Sequence, residues 1–412
     1  MVSTDATGRS RDVTGRASAS AAGPAGAPVD PGVRAEAVVD LAAITANTAL
    51  LCRSAGRAAV MAVVKADGYG HGAQPAARAA LAGGASLLGV ATLDEAVSLR
   101  HGGIDAPLVA WLWPPAQDVR PALAAGVQVG VASVQHLGTV TAAASAAPGG
   151  RPQIHLKLDT GLGRNGAGPA DMAAMFAQAA RAEADGLVEV VGLMSHLASA
   201  DIPGDPSVAE QTARFTEAIA AARAAGLRPR WHHLANTAGT IAHPATRFDL
   251  VRCGIGLYGL CPVTADPGLR PAMTLRATVA LAKRVPAGQG VGYGLTYRTA
   301  APSTLALVPL GYGDGLPRNA GNVGEVLIGG TRRRIAGRVA MDQVVVDCGD
   351  DDVHAGDEVL VFGPGDRGEP TARDWAGYCD TIDYEIVTRI GPRVPRRYPG
   401  VAPGSATGGG RR

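Results

Sequence analysis

A parallel β/α barrel followed by a mostly antiparallel β domain, an α/β architecture, is the fold class that this sequence predicts. Over residues 35–268, about eight short apolar runs alternate with alanine-rich stretches at helical spacing. Eight is the number of strands that closes a TIM-type (β/α)8 barrel. Ionisable residues fall at the C-terminal ends of these runs, where such barrels carry their chemistry. Beyond residue 269 the period becomes two: Leu275, Ala277, Val279 and Leu281 alternate with Thr274, Arg276, Thr278 and Ala280. That alternation is the mark of a half-buried antiparallel strand. An open doubly wound sheet would give similar local signals over the first block.

In chain order, residues 1–34 are Ala, Gly, Ser and Pro with scattered charge, and predict a disordered extension without the apolar block of a secretory signal. Leu41, Ile44, Thr48 and Leu51 recur at helical spacing. Strands are then expected at 60–65, 87–91, 108–112, 127–132, 154–158, 188–194, 231–234 and 250–253, with helices at 73–81, 94–101, 169–184 and 209–225. The β domain, residues 269–400, should carry further strands at 305–308, 326–328, 334–339, 344–346 and 358–362, before a disordered tail at 401–412.

The 412 residues carry a formal net charge of +2, which argues against a nucleic-acid surface. No apolar run approaches the roughly 20 residues needed to span a bilayer. Five cysteines, none in C-x-x-C spacing, fit a reducing cytoplasm better than a disulfide scaffold, and the histidines form no zinc pattern. His71, His155 and His232 are expected to be packing or surface residues.

The first barrel strand delivers one lysine, Lys65, just where the glycines of Asp67-Gly68-Tyr69-Gly70-His71-Gly72 turn the chain. A desolvated lysine is either a snorkelling strand end or an amine nucleophile. The other strand ends favour the second reading. Strand five opens onto Thr160-Gly161-Leu162-Gly163-Arg164, strand six ends in Ser195-His196, strand seven reaches Asn236-Thr237, and strand eight ends in Arg252 before Gly254-Ile255-Gly256. Loops after strands seven and eight commonly hold a phosphate, and a phosphate site beside a rim lysine implies pyridoxal phosphate.

With these residues the chain resembles the bacterial alanine racemases. The resemblance rests on Val63-Val64-Lys65-Ala66-Asp67-Gly68-Tyr69-Gly70-His71-Gly72, Lys157-Leu158-Asp159-Thr160-Gly161-Leu162-Gly163-Arg164 and Asp249-Leu250-Val251-Arg252-Cys253-Gly254-Ile255-Gly256-Leu257-Tyr258-Gly259. Val291-Gly292-Tyr293-Gly294, Gly311-Tyr312-Gly313-Asp314-Gly315 and Arg338-Val339-Ala340-Met341-Asp342-Gln343 extend it over about residues 36–398. It implies a cell-wall enzyme that supplies D-alanine by a two-base mechanism, as a homodimer with shared sites.

By the same resemblance, Lys65 carries the cofactor as a Schiff base and is the base for the D isomer. Tyr293, from the other subunit, is the base for the L isomer, with His196 and Arg252 behind it. Arg252 faces the pyridine nitrogen. Arg164 meets the cofactor's phenolic oxygen and the substrate carboxylate, and the Met341 backbone N–H meets that carboxylate too. Tyr69, Asn236, Thr237, Gly254, Ile255 and Tyr384 match phosphate-binding positions. Tyr312 and Tyr384 match the inner entry channel; Arg318, Arg338, Asp201 and Ile382 match its outer part. Lys157 matches a lysine that is carbamylated in some members, and Ala340 replaces a common cysteine. A racemase of serine or of broad specificity is the alternative. A fold-related decarboxylase would need an acid where Arg252 stands, and the small barrel proteins that carry pyridoxal phosphate lack a β domain.

Overall fold

The computed structural model describes residues 32–146 and 150–400. The expected disordered segments fall outside these residues, up to residue 31 and from residue 401. Arg34, placed in the first of them, is instead anchored: its guanidinium donates to the Pro309 and Arg393 carbonyls and pairs with Asp314 at 2.9 Å.

The strands are β1 (Ala35–Val39), β2 (Ala59–Val63), β3 (Leu87–Val90), β4 (Leu108–Ala110), β5 (Gln128–Val131), β6 (Gln153–Lys157), β7 (Glu189–Met194), β8 (Trp231–His233) and β9 (Leu250–Cys253). Interleaved with them are α1 (Leu41–Ala55), α2 (Lys65–Tyr69), α3 (Ala73–Ala82), α4 (Leu93–His101), α5 (Arg120–Ala124), α6 (Val134–Ala146), α7 (Pro169–Ala184), α8 (Ser207–Ala224) and α9 (Thr237–Ala242). β2 to β8 pair in parallel, each with its sequence neighbour, and β9 returns to pair with β2. The ring closes where the Asp249 and Arg252 N–H groups donate to the His232 and Ala235 carbonyls at 3.1 and 3.0 Å. Sequential order with closure excludes the doubly wound alternative, in which strand order reverses.

Residues alternate across each barrel strand. One set, with Val60, Leu88, Leu108 and Val251, packs into the large core. The other set includes Met61, Leu87, Val109 and Leu250, which form a separate apolar cluster with Trp111 and Trp231.

The second unit contains β10 (Met273–Thr278), β11 (Leu281–Val285), β12 (Gly290–Val291), β13 (Tyr297–Arg298), β14 (Ser303–Val308), β15 (Glu325–Ile328), β16 (Thr331–Arg334), β17 (Val344–Asp347), β18 (Glu358–Phe362) and β19 (Arg396–Arg397), with helices α10 (Ala372–Tyr378) and α11 (Asp383–Thr388). Its largest sheet has the order β16-β15-β18-β10-β1-β19.

Three expectations are corrected here. β1, expected to open the barrel block, pairs antiparallel with β10 and in parallel with β19, so it belongs to the β domain. β10 is buried on both faces and central in its sheet between β1 and β18; its Arg276 can be buried because Glu36 at 2.6 Å and Glu358 at 3.2 Å neutralise it. The strand expected at 334–339 lies earlier, at β16. Gly329 and Gly330, with φ of 57° and 79°, supply the two left-handed residues of a tight hairpin with β15.

Candidate active site

Lys65 stands two residues past β2, at the start of an unusual turn. Ala66, Asp67 and Tyr69 have φ of 51–52°, and Gly68 and Gly70 have φ of 62° and 81°. Each non-glycine residue in this left-handed region costs roughly 1–2 kcal/mol, so the surroundings must impose it. Glu95 does so from α4: Oε1 accepts from the Ala66 N–H at 2.6 Å, while Oε2 accepts from the Ala91 and Thr92 N–H groups. Asp67 Oδ1 accepts from the Ala73 N–H at 2.8 Å. From the β domain, Arg396 donates to the Gly70 carbonyl at 2.9 Å and the Tyr398 hydroxyl to the His71 carbonyl at 3.1 Å. A Cβ on Gly70 would lie 2.4 Å from the Val387 carbonyl oxygen, so only glycine fits there. Burial lowers the Lys65 pKa, and the Arg164 and Arg252 cations lower it further against the opposing Glu95. A lowered pKa enlarges the share of free amine.

The six residues matched to phosphate binding gather beside it. The Lys65 ammonium lies 5.9 Å from the centre of the Tyr69 ring, which packs against Tyr258 at 5.0 Å and Tyr384 at 6.4 Å. A Cβ on Gly254 would lie 2.3 Å from the Tyr69 hydroxyl, so this strand end presents bare backbone to the phenol. Asn236 caps α9 by accepting from the Gly239 N–H, and Thr237 Oγ1 accepts from the Gly254 N–H at 3.1 Å, beside Ile255.

Arg252 is buried and makes an unusual set of bonds. Nη1 donates to the His233 carbonyl at 2.8 Å and lies 3.2 Å from His233 Nδ1. Nη2 donates to the Ser195 and Leu234 carbonyls and lies 3.1 Å from His196 Nδ1. No described acid pairs with it, and its Nε–H is engaged by no described residue. Burial pushes its pKa down only to about 10. Burial holds both histidines well below the usual imidazole range, helped by Arg252 at His196 and by His155 and then Arg252 at His233, so both are neutral. Lys157 is also buried, with no ion pair among the described residues. Burial and then Arg252 and Arg164 drive its pKa far down, against Asp159. Arg164 stands exposed on a loop cinched by Asp159, whose Oδ1 accepts from the Gly161 and Gly163 N–H groups at 2.9 and 3.2 Å.

The remaining candidates lie on β-domain loops. Tyr293 is 72% exposed, on a turn against which the exposed Arg338 packs at Gly294. Tyr312 and Met341 are brought side by side, since the Tyr312 N–H donates to the Ala340 carbonyl at 3.0 Å and the Gly313 N–H to the Met341 carbonyl at 2.8 Å. Asp314, 1% exposed, locks that loop by accepting from the Gly311 N–H and pairing with Arg34 and Arg393. Arg318, Ile382 and Asp201 are exposed, and Asp201 acts electrostatically on Tyr384. Within one chain no described hydrogen bond or ring contact joins Tyr293 to Lys65, His196 or Arg252. The barrel residues are thus assembled, and the tyrosine is not.

The alanine racemase N-terminal domain model matches residues 39–262, and the alanine racemase C-terminal domain model matches residues 272–398. The chain belongs to the alanine racemase family. An alanine racemase of Thermobifida fusca is 56% identical over 89% of this chain and 98% of its own. The crystal structure of alanine racemase from Streptomyces lavendulae, a D-cycloserine producer, superposes with a TM-score of 0.88 at 50% identity, covering 90% of this chain and 99% of that one. The alanine racemase of Bartonella henselae, solved with covalently bound pyridoxal phosphate, gives a TM-score of 0.79 at 28% identity, covering 89% of this chain and 99% of that one. The alanine racemases are isomerases that depend on pyridoxal phosphate, and this rim fits that cofactor. It offers a desolvated amine, an arginine without an acid beside it, and a glycine cradle that a Cβ would fill.

Sequence reading missed two contributors. Glu95 was legible as the fourth residue of the capping box Thr92-Leu93-Asp94-Glu95. His155, expected to be a packing residue, is buried but hydrogen-bonded on both ring nitrogens, and a lone histidine in a strand gives no signal of that.

Proposed function

We propose that this chain interconverts L- and D-alanine with pyridoxal phosphate, as a cytoplasmic homodimer, and so supplies D-alanine for peptidoglycan. The carrying observation is the convergence on one rim of Lys65, Arg252 and the Tyr69–Gly254–Thr237 cradle. No described helix is long and apolar enough to cross a membrane.

When bound, the cofactor supplies an aldehyde that joins an amine and a conjugated ring that delocalises charge left on an adjacent carbon. Lys65 holds it there, and the same Nζ takes or returns the α-proton on the D face. Tyr293 of the partner subunit does so on the L face. A phenol, ordinarily near pKa 10, needs a cationic field to act as a base; the Arg252 cation supplies it, with the neutral His196 bridging between them. Arg252 stays protonated at neutral pH, so it would hold the cofactor's ring nitrogen as a donor without handing it a proton. A ring held that way would delocalise charge less, which would limit side reactions such as transamination.

Tyr69, Asn236, Thr237, Gly254, Ile255 and Tyr384 would hold the phosphate. Arg164 and the Met341 N–H would hold the substrate carboxylate, and Arg164 would also bind the cofactor's phenolic oxygen. Lys157, a buried amine whose pKa is driven down by burial and then by the Arg252 and Arg164 cations, is suited to carbamylation, which would turn it into their counter-charge. Tyr312 and Tyr384 narrow the entry that Arg318, Arg338, Asp201 and Ile382 open. The functional units are the barrel to residue 268 and the β domain from residue 269, the latter joined by β1. Ala340, smaller than cysteine, favours a second reading in which serine is also accepted.

Borohydride treatment followed by peptide mapping should fix the cofactor on Lys65, and chiral analysis should show racemised alanine in preference to other amino acids. Labelling at another lysine, or a different favoured substrate, would overturn this assignment.

A further inference from the structure

Arg252 is a buried cation with no described acid beside it, yet its bonds continue away from the rim. Its Nη1 lies 3.2 Å from His233 Nδ1, His233 Nε2 lies 2.9 Å from His155 Nδ1, and His155 Nε2 lies 2.8 Å from Gln128 Oε1. Gln128 Nε2 then donates to Gln153 Oε1 at 2.8 Å, and Gln153 Nε2 to Glu189 Oε2 at 2.9 Å. Gln128, Gln153 and Glu189 open their strands β5, β6 and β7, so the path runs through the barrel to its N-terminal mouth. There it meets solvent in a cavity of about 530 Å³ that Gln128, Gln153, Glu189, Arg230 and Trp231 help to line. Room for the path is built into the backbone: a Cβ on Gly192 would lie 2.0 Å from His155 Nδ1.

The direction of every bond is fixed from both ends. A guanidinium only donates and a carboxylate only accepts. His233 must therefore accept at Nδ1 and donate from Nε2, His155 must do the same, and both amides must turn their oxygens toward Arg252. Each member is satisfied once in each sense, and bonds aligned this way polarise one another.

We propose that His233, His155, Gln128 and Gln153 form a one-way hydrogen-bonded chain that couples the Arg252 cation to the Glu189 carboxylate at the opposite mouth, and so act as positioning residues for Arg252. The proposal rests on the reading that Arg252 faces the cofactor's ring nitrogen. A carboxylate beside Arg252 would compete for the donor that the ring nitrogen needs. Placing it four side chains away compensates the buried charge and leaves that donor free. The two neutral histidines, each locked in the Nε2–H tautomer, hold the guanidinium plane in place.

The test is nitrogen NMR on the full-length holoenzyme labelled with 15N-histidine and 15N-arginine. Wild type should show His155 and His233 neutral, with the proton on Nε2. Gln128→Leu removes the acceptor for His155 and should shift the His233 Nδ1 and Arg252 Nη signals, with kcat falling on the order of ten-fold and KM changing much less. Gln128→Glu, which keeps an acceptor facing His155, should restore the tautomer. Glu189→Gln keeps the bond at the exposed end but removes its charge. It should move the same signals in the same sense while leaving thermal stability unchanged, which keeps the question open to decision if Gln128→Leu does not fold. A proton on Nδ1 of either histidine in wild type, or His233 signals indifferent to both Gln128→Leu and Glu189→Gln, overturns the proposal. Absence of racemase activity in wild type would instead remove the functional reading, and the tautomers would still decide the chain.

Discussion

Gly254→Ala is the substitution whose consequence can be worked most fully from distances. The added methyl would sit 2.3 Å from the Tyr69 hydroxyl and 3.0 Å from the ring carbon that bears it. Ordinary contact needs about 3.5 Å, so the phenol must retreat by roughly 1 Å. Tyr258 at 5.0 Å and Tyr384 at 6.4 Å limit that movement. Overpacking of this kind costs about 1–3 kcal/mol of stability. A hydroxyl displaced from the phosphate loses a charge-assisted bond worth about 1.5–3 kcal/mol, which is roughly a 10- to 150-fold weaker cofactor Kd. Titration of apoenzyme with pyridoxal phosphate, followed by its absorbance, reads the affinity, and Tm reads the strain. Tyr69→Phe should lose affinity without losing stability. The double substitution should regain most of the stability and bind no worse than Tyr69→Phe alone. Wild-type affinity in Gly254→Ala, or losses that simply add in the double variant, would refute the packing assigned to this pair.

Acid should destabilise the apoenzyme in a defined window. Burial pushes the His71 pKa down to about 4 and that of His155 to about 3. Unfolded histidines take up protons near pH 6.5, so this stability is fully present above that pH. It falls as the pH drops toward 4, by up to about 3 kcal/mol for each group. His71→Gln should flatten the fall of Tm between pH 6.5 and 4, and an unchanged slope would contradict the assignment. Glu95→Gln removes the anion that raises the Lys65 pKa, so the acid limb of the kcat profile, which reports the amine freed once substrate is bound, should move to lower pH; a shift upward would refute that sign. Asp314→Ala frees two partly exposed arginines and the Gly311 N–H, and should cost ~2 kcal/mol while raising KM through the Tyr312–Met341 loop. An unchanged KM would show that the loop holds without it.

Much of this fold was legible because a parallel barrel writes itself as buried runs separated by amphipathic helices, and each expected barrel strand lies within two or so residues of an observed one. The rim residues Lys65, Arg164, His196, Asn236, Thr237 and Arg252 were legible for the same reason, since strand ends are where the pattern breaks into polar groups. β1 was not legible as part of the β domain: its partner β10 lies over two hundred residues later, and pairing at that range leaves no local signature. The period of two in β10 misled on burial, because Arg276 is covered and neutralised by Glu36 and Glu358 from two other strands. The left-handed turn was hidden at Ala66 as well, because alanine does not announce a positive φ and the restraint comes from Glu95, Arg396 and Tyr398.

Tyr293 is exposed and makes no described contact with Lys65 within one chain, so the proposed two-base site needs the Tyr293 of a second copy. Mixing Lys65→Ala chains with Tyr293→Phe chains decides this. Each parent should be nearly inactive. Each mixed dimer should pair the intact Lys65 of one chain with the intact Tyr293 of the other, which restores about half of the wild-type activity per mixed dimer. If the mixture stays as inactive as its parents although mixed dimers have formed, the two bases do not meet across subunits.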